Sequence, residues 1–225
     1  MGLTHSPKIV RDGLVLHLDA ANVKSYSGGT GGGTPVKDIS GNGYDGTFSG
    51  SPDFITDNLG GFETNGTENE YISVPDNENI RTGTNPWSFQ IVFKIKSISL
   101  TYPGIIRKGS SGSGGVGFQI FYVSSGLSYF KHYNSQDDIT TWTAGETQVL
   151  TVINNGSNVK SYKNGELYTN SWLSMGYTDT SEPFRIGMGD SRGNNVVNSF
   201  MLYNRALSEE EVVKNFNAIK DRFGL

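Results

Sequence analysis

The 225-residue chain contains no cysteine. Disulfide bonds and thiolate metal sites are therefore excluded as ways of holding its fold together. The chain also lacks an excess of basic residues, since its net charge at pH 7 is -4. Without a basic field, it attracts neither phosphate backbones nor anionic lipid surfaces. The composition thus argues against a nucleic-acid partner and favours an electrically neutral one.

Long hydrophobic runs are missing as well. No window reaches the length of a transmembrane helix, and the opening residues MGLTHSPK have no apolar stretch typical of a signal peptide. We therefore expect neither membrane insertion nor a signal peptide. The chain is instead rich in glycine and contains 12 Phe, 11 Tyr and 3 Trp. Aromatic side chains can fill a core while glycines shape tight turns, so we expect one β-sandwich domain over residues 1–225.

Alternating apolar and polar residues predict many short strands. In residues 87–96, WSFQIVFKIK, every second side chain from Trp87 is apolar, which predicts a strand with one buried and one mostly polar face. Residues 14–18, 118–122 and 149–153 show similar alternation. Asn164-Gly165 separates two further runs and favours a type I′ hairpin turn. The pattern predicts an all-β fold of two antiparallel sheets.

Only the C-terminal segment predicts a long helix. Ser208 can cap it while Glu211, three residues later, completes a capping box, and Gly224 follows as a stop signal. We expect the helix to cover residues 208–221. Its apolar stripe should face the core. The members of this stripe are Val212, Val213, Phe216 and Ile219.

Several segments form an ordered pattern. Residues 38–47 read DISGNGYDGT and residues 202–211 read LYNRALSEEE, with further matching segments at residues 13–19, 158–167 and 184–187. In this order they resemble the laminin-G-like branch of the concanavalin A-like lectin and glucanase superfamily, in which D-x-S-G-N-G-x-x-G-T and YNRALSxEEI recur. Asn198 and Ser199 occupy positions that are acidic in many relatives. The resemblance implies a jelly-roll sandwich with a short C-terminal helix, used for binding or assembly.

A second resemblance concerns the two ends of the sequence. Residues 16–26, LHLDAANVKSY, and residues 215–225, NFNAIKDRFGL, are similar to segments of structural proteins of large tailed bacteriophages. This similarity implies a virion protein that decorates a capsid, neck or fibre. Its expected location is the surface of the phage particle, and its expected partners are other virion proteins or cell-surface glycans. The sequence leaves the oligomeric state open and admits a homo-oligomer.

Catalytic patterns are not supported. Glucanases of this fold carry E-x-D-x-E or E-x-D-x-x-E along one strand, and neither string occurs in the chain. Residues 112–117 satisfy G-x-G-x-x-G, but a strand pattern follows where a dinucleotide site needs a helix. The three histidines are scattered, and the sequence places no acid and serine together with any one of them to indicate a triad. We therefore expect a protein that is not an enzyme.

One metal site is a candidate. Asp38, Asn42 and Asp45 offer oxygen ligands in a turn that its glycines allow, and calcium prefers such ligands. Asp19 joins them if the first strand ends beside this loop. The resemblance adds that some members of the superfamily bind calcium. The alternative is that Asp38 and Asn42 hold the turn by hydrogen bonds to its own backbone.

Aromatic residues outside the predicted core are candidates for ligand binding. Tyr102, Trp142 and Trp172 lie in turn-rich stretches, and sugars commonly stack on exposed rings. Packing into the core is the alternative for each. Two functions from different classes follow: a structural or decorating protein of a phage particle, and a free-standing carbohydrate-binding lectin-like module.

Overall fold

The architecture is two antiparallel sheets packed face to face, with one helix on the outside of the larger sheet. The computed structural model describes residues 8–28, 35–67, 69–97, 102–109, 117–132, 135–171, 180–189 and 191–225. Within these residues every strand pairing is antiparallel, as the alternation predicted. The predicted all-β jelly-roll sandwich with a C-terminal helix is confirmed.

The described residues form fifteen strands, two 3-10 helices and one α-helix. In chain order the strands are β1 (Leu14–Asp19), β2 (Thr47–Ser49), β3 (Asp53–Ile55), β4 (Gly61–Glu63), β5 (Tyr71–Val74), β6 (Trp87–Ile95), β7 (Gly104–Gly109), β8 (Gly117–Tyr122), β9 (Leu127–His132), β10 (Ser135–Thr141), β11 (Thr147–Asn154), β12 (Val159–Lys163), β13 (Glu166–Ser171), β14 (Phe184–Ile186) and β15 (Asn195–Tyr203). The 3-10 helices are Asp57–Leu59 and Glu78–Ile80, and helix α1 is Glu209–Phe223.

The larger sheet has the order β13-β12-β11-β6-β15-β4-β3, and β1 also pairs with β15. The smaller sheet has the order β10-β9-β8-β7-β14-β5-β2. The predicted hairpin turn joins β12 to β13, and Asn164 and Gly165 both have positive φ, 51° and 81°. A type I′ turn needs this conformation at both central residues.

The main core lies between the two sheets. Trp87, Phe89 and Phe93 of β6 point into it and are at most 2% exposed. Trp87 stacks on Phe118 of the opposite sheet with ring centroids 5.4 Å apart. Such aromatic pairs bury large areas and prefer stacked or edge-on geometry. The sandwich is therefore closed by aromatic rings contributed from both sheets.

The opposite face of β6 departs from the prediction. Ser88, Gln90 and Val92 were expected on a mostly polar, open face, but all three are at most 1% exposed. Helix α1 and the segment before β1 cover this side of the larger sheet, and Phe223 of the helix packs against Val92. The prediction of a single buried face was wrong because a distant element covers the other one.

Helix α1 begins at the predicted cap and ends at Phe223, two residues beyond the predicted bound of 221. The Ser208 side chain accepts a hydrogen bond from the Glu211 backbone, the Glu211 side chain bonds back to Ser208, and Gly224 ends the helix in the left-handed conformation. Val212 is buried and Phe216 and Ile219 pack partly against the sheet, but Val213 is 44% exposed. The prediction was wrong for Val213, because it neighbours Val212 and a residue one step along a helix faces a different side.

A buried polar group fixes the helix to the sandwich. Asn215 accepts a hydrogen bond from the Val10 backbone at 2.7 Å and donates one to the Tyr203 hydroxyl at 3.0 Å. The same hydroxyl donates to the Val10 carbonyl at 3.2 Å. Burial raises the pKa of Tyr203 to about 12, so this hydroxyl keeps its proton. Three distant segments are thus joined by one satisfied network.

Candidate binding surface

The two sheets differ in what their outer faces carry. Helix α1 covers much of the larger sheet's outer face, whereas side chains that point away from the core line the outer face of the smaller sheet. Because Ile72, Phe184 and Ile186 point into the core, the residues between them point outward. A polar row therefore crosses this outer face in register. Its members are Thr47, Ser73, Arg185, Arg107 and Gln119, of which Arg107 and Gln119 are buried, at 7% and 9% exposure.

Arg185 and Tyr71 form the centre of this surface. The Arg185 guanidinium lies 5.3 Å from the centroid of the Tyr71 ring, within the range of a cation–π contact. Both residues are half-buried, and Ser73 lies opposite Arg185 on the neighbouring strand. The ring thus holds the guanidinium in one orientation while leaving it accessible to solvent.

A second arginine binds the same segment. Arg192 is exposed, and its Nε donates a hydrogen bond of 3.2 Å to Asn69, two residues before Tyr71. Two extended residues span about 7 Å, so the two arginines occupy one small region. We call Asn69, Tyr71, Ser73, Arg185 and Arg192 the Tyr71 surface. None of these residues was predicted as a site residue.

Tyr102 lies near the start of β7 on the smaller sheet. It is 58% exposed, and its ring meets Phe121 edge-on with centroids 5.3 Å apart. Its φ of 55° is in the left-handed region, which costs a bulky residue energy and is a feature of functional sites. The structure thus places Tyr102 as an exposed, oriented ring, and ligand binding by it stays a prediction.

The two predicted tryptophans differ from Tyr102. Trp142 is half-buried, meets Tyr122 edge-on at 5.5 Å and packs against the main core. This placement corresponds to the packing alternative that we stated for it. Trp172 lies outside the described residues.

The loop at residues 38–47 is held by its own side chains. The Asp38 carboxylate accepts hydrogen bonds from the backbones of His17, Ser40 and Tyr44 and from the Ser40 hydroxyl, at 2.8–3.1 Å. Asn42 donates to the Val15 carbonyl at 3.1 Å. These bonds tie the loop to β1 and explain the recurrence of its motif in structural terms.

The remaining predicted metal ligands are engaged with cations. Asp45 accepts from the Asp38 backbone at 2.9 Å and from the Lys37 ammonium at 2.6 Å. Burial alone would raise the pKa of the Asp45 carboxyl, but its hydrogen bonds from Lys37 and Asp38 outweigh it, so the pKa is lowered. Asp19 is bound 2.8 Å from Arg222 of helix α1 rather than to the loop. Across the described ranges, no three His, Asp or Glu side chains form a group suited to a metal ion.

Calcium binding stays a prediction that melting experiments can test. We expect Asp38→Ala to lower the free energy of unfolding by about 2–4 kcal/mol with or without calcium, because several hydrogen bonds to a charged group are lost. A bound ion would in addition raise the melting temperature of the wild type, and not that of the variant, when calcium replaces a chelator. A wild type that is indifferent to calcium from micromolar to millimolar concentrations would contradict the calcium site.

His17 lies on β1 beside this loop and is 8% exposed. Among the described residues, its ring Nδ1 has no hydrogen-bond partner. Burial lowers the pKa of His17 from 6.5 to about 4, with Arg11 and Arg222 acting in the same direction and Asp19 and Asp38 opposing them. The folded protein therefore keeps this ring neutral well into the acidic range.

We expect the depressed pKa of His17 to make folding acid-sensitive. Below pH 6.5 the unfolded chain binds a proton at this residue, whereas the folded chain binds it only near pH 4. The free energy of unfolding therefore decreases as the pH is lowered from 6.5 to 4, by about 3 kcal/mol in total. Urea unfolding of the wild type and of His17→Gln across this range measures the effect. The variant should lack this part of the pH dependence, and parallel curves would contradict the prediction.

Several described acidic residues outside the loop have structural partners. Glu63, in β4, forms an ion pair with Lys96, and Glu70 accepts a hydrogen bond from the Asn65 backbone at 2.8 Å. Glu211 is bound by both terminal nitrogens of the Arg205 guanidinium at 2.7 Å, and these hydrogen bonds lower the pKa of Glu211 to about 2.

Among the helices of the described ranges, none is long and apolar enough to cross a bilayer.

Solved structures share this fold. The binding domain of Paraclostridial Mosquitocidal Protein 1 is similar with a TM-score of 0.74 and 19% identity, covering 92% of this chain and 52% of that chain. The binding domain of Botulinum neurotoxin DC, solved in complex with rat synaptotagmin II, has a TM-score of 0.69 and 18% identity, covering 93% and 52%. Trypanosoma rangeli sialidase, in complex with the inhibitor DANA, has a TM-score of 0.71 and 14% identity, covering 95% and 35%.

Each of these similarities covers most of this chain but only part of the other protein. The chain spans about half the length of the two toxin binding domains and about a third of the sialidase. Comparison with curated protein sequences finds no significant match. A family model described as the concanavalin A-like lectin/glucanases superfamily, of the laminin G type, matches residues 65–213, well over half of the sequence. The chain therefore belongs to the concanavalin A-like lectin/glucanases superfamily.

Proposed function

We propose that this chain is a non-enzymatic binding domain whose ligand surface is the outer face of the smaller sheet. The observation that carries this proposal is Tyr102, an exposed ring held over Phe121 in a strained backbone conformation. A rigid sandwich that presents an oriented aromatic ring is suited to binding, because little side-chain freedom is lost when a ligand stacks on it. The Tyr71 surface lies on the same sheet and adds polar groups.

The solved neighbours support binding rather than catalysis. Two of the three are binding domains, and one of these was solved with a protein, rat synaptotagmin II. Within the chain, Glu63 and Glu211 are both ion-paired, as suits structural carboxylates better than a catalytic pair. The same fold hosts many functions, so the ligand must be argued from this chain's own surface.

For the biological setting, we propose a structural or surface-decorating protein of a phage particle. The similarity of residues 16–26 and 215–225 to structural proteins of tailed phages supports this setting. Its partners would then be other virion proteins, copies of itself or host glycans. Mass spectrometry of purified particles tests the proposal directly. Absence of the protein from every virion and cell-surface fraction would contradict it.

The second candidate is a free-standing carbohydrate-binding lectin-like module. The edge-on pair of Tyr102 and Phe121 favours it, because an exposed ring can stack on the apolar side of a sugar. A lectin-like module would bind oligosaccharides in isolation, whereas a purely assembling protein would bind only particle components. Binding to a glycan panel, compared with binding to particles that lack the protein, separates the two.

The location of the binding surface is tested with matched tyrosine variants. Tyr102→Ala should weaken binding at least tenfold in whichever assay detects a ligand, since exposed aromatic anchors dominate binding energy. Tyr168→Ala, which removes a 37% exposed tyrosine from β13 of the larger sheet, should leave affinity unchanged. Equal affinity of both variants and the wild type would place the ligand elsewhere. Unchanged melting temperatures would confirm that the variants fold.

A further inference from the structure

Five of the seven arginines of this acidic chain form two groups; of the other two, Arg11 is exposed before β1 and Arg107 is buried and bonded to the Gly109 carbonyl. Those of the first group lie in ion pairs: Arg81 with Asp76 at 2.6 Å, Arg205 with Glu211 at 2.7 Å and Arg222 with Asp19 at 2.8 Å. Each guanidinium is thereby matched by a carboxylate within the fold. With a net charge of -4, the chain has enough carboxylates for such pairing.

Arg185 and Arg192 belong to the second group. Arg185 is oriented by the Tyr71 ring and Arg192 by the Asn69 amide, and both partners are uncharged. Neither arginine forms an ion pair with any residue in the described ranges. Both bind the segment 69–71. Two accessible guanidinium groups without carboxylate partners are thus concentrated in one small region, although the chain as a whole is acidic.

On the β5 side of Arg185, the neighbouring residues in register carry hydroxyl groups rather than acids. Ser73 lies directly opposite Arg185, and Thr47 lies opposite Ser73 on the edge strand β2. Asp45, the acidic residue that precedes β2, is already bound to Lys37 at 2.6 Å. Hydroxyl groups can donate and accept hydrogen bonds, as the hydroxyls of a sugar do. The row therefore combines a cation with partners suited to a polyhydroxylated molecule.

We propose that the Tyr71 surface binds an acidic saccharide, with Arg185 and Arg192 recognising its carboxylate or sulfate group. This inference rests on the proposed binding function and names the chemistry of its ligand. A guanidinium binds a carboxylate or sulfate through parallel charge-assisted hydrogen bonds, and its orientation by Tyr71 reduces the freedom lost on binding. Ser73 and Thr47 lie where the sugar hydroxyls would extend across the sheet. The overall charge alone predicted a neutral partner, because it averages over this local concentration of arginines.

The experiment uses the full chain and three probes of equal length: an oligosaccharide of glucuronate, its neutral glucose counterpart, and an acidic glutamate peptide. We expect the glucuronate probe to bind at least tenfold more tightly than the glucose probe, with an affinity that falls as salt is added. Arg185→Gln should reduce that affinity at least tenfold. Arg185→Lys should retain only part of the wild-type affinity, because lysine keeps the charge but lacks the two parallel N–H donors of a guanidinium. Arg192→Gln should have a smaller effect. Arg11→Gln, at an exposed arginine on the segment before β1, is the matched control and should change nothing.

Three results would overturn the inference. Equal binding of the glucose and glucuronate probes, unaffected by Arg185→Gln, would show that no acidic group is recognised. If Tyr102→Ala abolished that binding, the proposed function would stand without the inference. Tighter binding of the glutamate peptide with the same dependence on Arg185 would make the ligand a polypeptide. Absence of binding to every probe, with variants that melt like the wild type, would also reject it, while the particle assay would still decide the proposed function.

Discussion

Replacing Asp76 with alanine is expected to lower the free energy of unfolding by about 3–5 kcal/mol. Asp76 accepts a hydrogen bond from the Lys108 ammonium at 2.6 Å and two from Arg81 at 2.6 and 2.9 Å. The Lys108 side chain is fully buried, lies over the Phe184 ring and also donates a hydrogen bond to the Glu182 carbonyl, just before β14. Removing the carboxylate takes the counter-charge away from a buried cation, which is the costly way to break such a pair.

The cause of this loss can be separated from general damage. Asp57→Ala removes a 73% exposed carboxylate lying 3.9 Å from Lys94 and should cost less than about 1 kcal/mol. Adding Lys108→Met to Asp76→Ala should recover stability, because the buried charge that lost its partner is removed as well. Burial alone would raise the pKa of Asp76, but the hydrogen bonds from Arg81 and Lys108 outweigh it and lower the pKa. If Asp76→Ala lowered the free energy of unfolding no more than Asp57→Ala does, the ion pair of Asp76 with Lys108 would not be stabilising.

Phe93→Ala is expected to lower the free energy of unfolding by about 3–5 kcal/mol, the usual cost of a cavity left by a buried phenylalanine. Phe93 is completely buried, in the middle of the larger sheet, with Val197 and Gln148 beside it on the neighbouring strands. Urea unfolding of the wild type and the variant measures the loss. An unchanged midpoint and slope would show that this face of β6 is not in the core.

Val213→Ala is the matched control on the helix. Because Val213 is 44% exposed, its truncation should change stability by no more than about 0.5 kcal/mol. A loss comparable to that of Phe93→Ala would mean that the whole predicted stripe of the helix is buried in solution, contrary to the structure.

Local patterns predicted those parts of the fold that depend on neighbouring residues. The period-two alternation placed β6 within one residue of its observed bounds, because a strand side chain's direction follows from its position alone. The capping box at Ser208 identified the start of α1 for a similar reason, since both of its hydrogen bonds lie within one turn. Features that depend on a few consecutive residues can therefore be predicted from the sequence without knowledge of the fold.

Features that depend on distant contacts were not predicted. The burial of Ser88 and Val92 results from contacts with residues more than 100 positions later in the chain: Ser88 bonds to Arg205 and Leu207 in the segment before α1, and Val92 packs against Phe223 of α1. The Tyr71 surface was missed because Tyr71, Arg185 and Arg192 meet only through the pairing of β5 with β14 and the contact of Arg192 with Asn69. The alternation of apolar and polar residues around Tyr71 and around Arg185 indicates that both side chains face outward. The sequence does not indicate that the strands carrying them are neighbours.

The position of β15 has a consequence for how the chain folds during synthesis. β15 is the last described strand, yet it lies inside the larger sheet and pairs with β1, β4 and β6. Until the ribosome has released residues 195–203, β1 lacks its partner and one edge of β6 has none. Such long-range pairing is slow and leaves strand edges exposed to other chains. We therefore expect truncation before β15 to give aggregated rather than partly folded protein, and folding to be completed only after most of the chain has emerged.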